Sequence, residues 1–180
     1  MNIVGIDYSM TSPSICIHCG NEWSLSNCKF YFLTTKKKSV ISSNIFQGDL
    51  QPIFTNQEER FNFISNWAIS LIPKNSIIFL EGYSYSSKGV VFDIGENTGV
   101  LKHKIWISGN SINCVSPSSI KKYASGKGNA NKLLMYESFI EDTNFDISAS
   151  IHCREGQSPM SDIIDSYYIA KFGFNQITLK

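Results

Sequence analysis

A chain of 180 residues, 42% apolar and 17% charged, can bury a sizeable core and is neither disordered nor fibrous. Its formal net charge of +1, from 16 Lys+Arg against 15 Asp+Glu, excludes a uniformly basic surface. Any affinity for polyanions must then rest on local clusters: Lys36 to Lys38, Lys102 to Lys104, and Lys121 to Lys132. No run approaches the roughly 18 apolar residues of a membrane span, and the N-terminus lacks a signal-peptide layout. A single domain over residues 1–180 in the cytoplasm (the host cytoplasm for a viral chain) is expected.

The first stretch, Met1 to Ser9, holds an apolar run (Ile3, Val4, Ile6) that ends in Asp7, as a buried strand with a carboxylate at its end. An ionised carboxylate in such a place needs a partner or a metal; capping a turn is the plain alternative. Ser14 to His18 reads as a returning antiparallel strand and Lys29 to Thr34 as a third. Cys16, Cys19 and Cys28 with His18 suggest zinc weakly, because no second ligand pair follows. The five cysteines are expected as free thiols. Residues 35–56, rich in Lys, Ser, Asn, Gln and Gly, are expected as a loop or insertion.

Asn56 caps a predicted helix that carries Phe61, Ile64, Trp67, Ala68, Leu71 and Ile72 at helical spacing and stops at Pro73. Ser76 to Glu81 repeats the pattern of the first strand, an apolar run finishing in an acid. A Ser/Tyr/Gly loop over 82–89 precedes a predicted helix over 90–108, which Gly95 and Gly99 punctuate. Ile112 to Ser116 is a further strand, Pro117 to Ala124 a short helix, and Gly126-Lys127-Gly128 a basic loop. An amphipathic helix over Lys132 to Ile140 follows. The last helix starts near Met160 with Ser161 as its cap, and Asp162 and Asp165, three apart, share one face. Acids also favour a helix N-terminus for dipole reasons alone. The order gives an α/β, ribonuclease-H-like fold: a mixed five-stranded sheet, three antiparallel strands then two parallel, flanked by helices.

These residues together resemble the RuvC family of Holliday-junction resolvases, from Ile3 to Ala170 except over 19–56. Gly5-Ile6-Asp7 and Phe79-Leu80-Glu81 are similar to the family's two acidic strands. Gly95 to Val100 is similar to its Gly-x-x-x-Gly-Val. Pro117 to Lys121 followed by Gly126 to Lys132 resembles Pro-x-x-Val-Lys and Gly-x-Gly-x-Ala-x-Lys, and Ser161 to Asp165 the closing Asp-x-x-Asp helix. The resemblance implies a crossover-junction endodeoxyribonuclease with a two-metal mechanism, Asp7, Glu81, Asp162 and Asp165 holding two Mg²⁺, with Mn²⁺ able to substitute. It further implies Lys121, Lys127 and Lys132 on phosphates, Tyr83 and Tyr85 near the junction, and a homodimer joined along the 90–108 helix. The chain's Asn/Ile/Ser/Lys-rich composition suggests a viral or phage member. The alternatives are a broader fork and flap debranching nuclease and a non-catalytic branched-DNA-binding protein. An actin-like ATPase, suggested by Gly5 to Thr11, lacks a second phosphate motif and the length for two domains.

Overall fold

Strand alternation organises the molecule. In the computed structural model, which describes residues 1–82 and 91–179, β1 (Asn2–Asp7) turns Val4 and Ile6 to one side of the sheet and Ile3, Gly5 and Asp7 to the other. β2 (Ser14–Cys19) and β3 (Cys28–Thr34) continue antiparallel from β1. β6 (Ile77–Glu81) and β7 (Ser111–Val115) lie parallel to it on its other side. These five strands pair as expected.

The expected strand count is corrected by the segment 35–56. It supplies β4 (Ile41–Ser42) and β5 (Phe46–Leu50), so the sheet has seven strands in the order β4-β5-β3-β2-β1-β6-β7. β5 pairs in parallel with β3, and Phe46 stacks on Phe30 at 5.2 Å between ring centroids. Gly48 leaves room for the Phe32 ring, which an added Cβ would meet at 2.3 Å.

Helices cover both faces. On the Val4/Ile6 side lie α1 (Gln57–Leu71), capped by Asn56 Oδ1 accepting from Glu59 N at 2.7 Å, and α2 (Val91–Ile107). Ile64, Ala68, Leu101 and Ile105 are buried there with Ile15 and Leu80. Each of the Ile and Leu side chains contributes about 2 kcal/mol of burial. On the other side pack α3 (Pro117–Ser125), α4 (Lys132–Thr143), the short α5 (Ser148–Ile151) and α6 (Met160–Thr178). Ser116 caps α3 and Asn131 caps α4, while Gly126 ends α3 at φ 76°. Ser161 is not a cap: Pro159 holds that position without a side-chain bond, and Ser161 lies inside the helix. No helix among the described residues is long and apolar enough to cross a membrane.

Candidate active site

Both strand-end acids face α6 because of parity. Ile3, Gly5 and Asp7 share one face of β1, and Phe79 and Glu81 share the same face of β6. The parallel register Ile6↔Leu80 makes Asp7 and Glu81 neighbours at the C-terminal edge of the sheet. α6 then crosses β1 at the one residue without a side chain. A Cβ on Gly5 would meet Ala170 N and Ser166 O at 2.3 Å, so helix backbone rests on strand backbone. From Ser166 back to Asp162 is about 6 Å of helix, and from Gly5 on to Asp7 about 6.6 Å of strand. The close approach at Gly5 thereby carries the start of α6 over the end of β1. Ser14 Oγ, in the strand paired with Asp7, and Ser166 Oγ are 3.1 Å apart and fasten β2 to the same helix.

The result is four carboxylates in one another's field. Burial pushes Asp7 well above the ordinary carboxylate range, and repulsion from Asp162, Glu81 and Asp165 adds to it against Lys132. Asp165 is pushed up to about 7, by burial and then by Glu81 and Asp162, with Lys121 and Lys132 opposing. Glu81 is raised by burial, offset by Lys121. Burial also raises Asp162, offset by the hydroxyls of Ser158 and Ser12 and by Lys132. Asp162 is 9% exposed, and its Oδ2 has no hydrogen-bond partner among the described residues.

A buried carboxylate oxygen without a donor, among three further acids, is a demand for positive charge. Four hard oxygen donors suit a divalent ion of the Mg²⁺ type. They are not gathered into a finished coordination group: among the described residues, no three His, Cys, Asp or Glu side chains are spaced to hold a metal ion. The donor chemistry fits such an ion, and enclosing it requires the acids to draw together.

Lys132 opens α4, and its Nζ donates to Ser161 Oγ at 3.2 Å, which sets the ammonium at the start of α6. Lys121 on α3 acts on Glu81 and Asp165. Lys127 is different. It is exposed in the turn between α3 and α4, away from the Lys132 tie to Ser161. Tyr83 and Tyr85 lie outside the described residues. Sequence reasoning missed the hydroxyls of Ser12 and Ser158 beside Asp162 and the ties that hold their loops. Arg60 Nη2 and Gln51 Nε2 donate to Met10 O at 2.7 and 3.2 Å, and Lys36 Nζ donates to Ser158 O at 2.7 Å. The small-residue turn after Asp7 was a signal for Ser12; nothing local marks Ser158 or its tie to Lys36.

No protein-family model matches the sequence, and no curated protein matches it. Solved structures do. The RuvC structure of Thermus thermophilus is similar with a TM-score of 0.60 at 15% identity, over 99% of this chain and 96% of that one. The Fowlpox virus resolvase, solved with its substrate Holliday junction DNA, gives 0.57 at 13% identity, over 98% and 99%. Ydc2, the yeast mitochondrial Holliday junction resolvase, gives 0.56 at 14%, over 95% and 76%. The chain has the RuvC-like, ribonuclease-H-like fold.

Proposed function

We propose, from that fold and the acid cluster it carries, that this chain is a divalent-metal-dependent endonuclease that resolves four-way DNA junctions by paired phosphodiester hydrolysis. The observation that carries the reading is the convergence of Asp7, Glu81, Asp162 and Asp165 on one edge and face of the sheet, with an oxygen on Asp162 that has no partner among the described residues. Two proteins of similar fold are resolvases by name, and two of the similar structures were solved with Holliday junction DNA. Asp7, Glu81, Asp162 and Asp165 would hold two Mg²⁺, or Mn²⁺ in their place. When bound, such ions neutralise the carboxylates, lower the pKa of a water and stabilise the leaving 3′ oxygen.

The chain's own part is placement. Lys121 and Lys132 bring positive charge to the acid cluster and would position backbone phosphates there without reading sequence. Lys127, on its exposed turn, would meet a phosphate farther out, and Tyr83 and Tyr85 are proposed near the unpaired bases. A four-way junction has two-fold symmetry, so two cuts call for two copies. The outer face of α2 suits that role. Phe92, Glu96, Gly99, His103 and Trp106 form one exposed stripe at helical spacing, Phe92 being 83% and Trp106 73% exposed. Among the described residues nothing fills the space at Gly95 and Gly99, where a second helix could approach closely.

The test is cleavage of a synthetic four-way junction beside a fork, a flap and a linear duplex, with Mg²⁺ and with EDTA. Symmetric, metal-dependent nicks confined to the junction are expected. Equal cutting of forks and flaps would replace this reading with a general debranching nuclease, and tight junction binding without cutting would leave a binding protein.

A further inference from the structure

Between Glu22 and Asp49 the chain contains Lys29, Lys36, Lys37 and Lys38 and no acid. Topology decides where this charge goes. β1 ends at Asp7 on one edge of the sheet; β2 runs back from it, and β3 returns to the same edge, ending at Thr34. The Lys triplet therefore emerges at the edge that holds the acids, whereas Lys29 lies at the opposite edge. There it is pinned. Lys36 N donates to Thr34 Oγ1 at 3.1 Å, and Lys36 Nζ reaches Ser158 O, whose residue also places a hydroxyl beside Asp162. A 3-10 turn over Lys37–Ser39 follows, with Ser39 fully buried and Ser39 N donating to Lys36 O at 2.9 Å. Lys37 and Lys38 are exposed on this anchored turn, and their ammonium groups have no partner among the described residues.

We infer that Lys37 and Lys38 form a second phosphate-contacting patch that holds a DNA arm on the β3 side of the acid cluster, opposite the β7 side from which Lys121 enters. The inference rests on the nuclease reading and adds the path of the substrate. Two strand spacings separate β3 from β1, about 10 Å, which is about three base-pair steps at about 3.4 Å of rise. A backbone engaged at the acids would meet this turn next.

The test is equilibrium binding of a labelled four-way junction and a linear duplex in EDTA across a salt series. The Lys37→Ala/Lys38→Ala variant is compared with Lys29→Ala/Lys74→Ala, which removes equal charge from exposed sites at the opposite edge of the sheet. Loss of two phosphate contacts is expected to flatten the slope of log K against log salt by about 1.8 for each copy bound. The wild-type advantage over this variant then shrinks about tenfold per bound copy between 50 and 200 mM salt. The control pair is expected to keep the wild-type slope. An unchanged slope in Lys37→Ala/Lys38→Ala, or equal flattening in the control, overturns the patch while junction cleavage by the wild type leaves the function reading standing. Slope loss on a junction and a duplex bound equally well supports the patch and counts against junction specificity. A wild type that binds no DNA overturns both.

Discussion

Asp7 owes its character to burial against three other acids rather than to its own sequence neighbours. Replacing it with Asn removes a proposed metal ligand and one of the mutually repelling charges while keeping the shape. Cleavage by Asp7→Asn is expected to fall about a thousandfold or more, about 4 kcal/mol of barrier, with junction binding in EDTA retained. In EDTA the variant is also expected to melt higher than wild type, because a charge that opposes folding has gone; each kcal/mol gained raises the midpoint by about 2–4 °C. Wild-type cutting rates in Asp7→Asn would show that the acids are not the catalytic site. At this scale the acids were legible. Asp7 and Glu81 each close an apolar run, and the three-residue spacing of Asp162 and Asp165 places both on one helical face. The hydroxyls of Ser12 and Ser158 were not, since their role depends on loops that meet only after folding.

Among the elements, α6 carries the arrangement, and its seat is Gly5. A methyl group there would meet backbone atoms that cannot rotate away, so the helix must lift from β1 and carry Asp162 and Asp165 with it. Gly5→Ala is expected to cost about 3 kcal/mol in stability, at the upper end for overpacking, and to lower cleavage more than junction binding. Thermal melting and a binding-against-cleavage comparison check it; unchanged melting would mean that the helix tolerates displacement. Gly173 repeats the device against Phe79, where an added Cβ would lie 2.2 Å from the ring. The segment 35–56 shows the opposite case. β4 has two residues and β5 includes Gly48, so neither carries the apolar alternation that marks a strand. The strand state of β5 comes from pairing with β3 and from Phe46 on Phe30, and that of β4 from pairing with β5, contacts that only the folded sheet provides.

Across the whole molecule, the unspent charge of the acid cluster should appear as pH dependence. Asp165 titrates near 7 in the folded chain against about 3.9 unfolded. The folded state holds the extra proton between those values, so its stabilising effect is complete below about pH 4 and is lost as pH rises through about 7. His18, buried and with its pKa lowered, acts in the opposite direction by opposing folding on acidification. The measurement is therefore the difference in melting between wild type and Asp165→Asn in EDTA. The variant's advantage should be larger near about pH 8 than near about pH 5.5 and shrink when Mg²⁺ is added. An advantage independent of pH would remove the acid cluster as its source. The α2 stripe makes a second prediction at this scale. Phe92→Ser/Trp106→Ser is expected to turn a sedimenting dimer into monomer and to uncouple the two nicks, with melting little changed because both residues are exposed.

What the sequence determined by itself was the apolar runs that bury β1 and β6, the acids at their ends, the helical face shared by Asp162 and Asp165, and the cap of α1. All are local, set by periods of 2 and 3.6 and by side chains bonding to their own backbone. Only the tertiary structure decided the rest: the seat of α6 on Gly5, the two strands of 35–56, and the tie from Lys36 to Ser158, 122 positions along the chain. Those depend on which surfaces come within van der Waals or hydrogen-bonding distance. Such distances decay over a few ångströms, and sequence separation does not encode them.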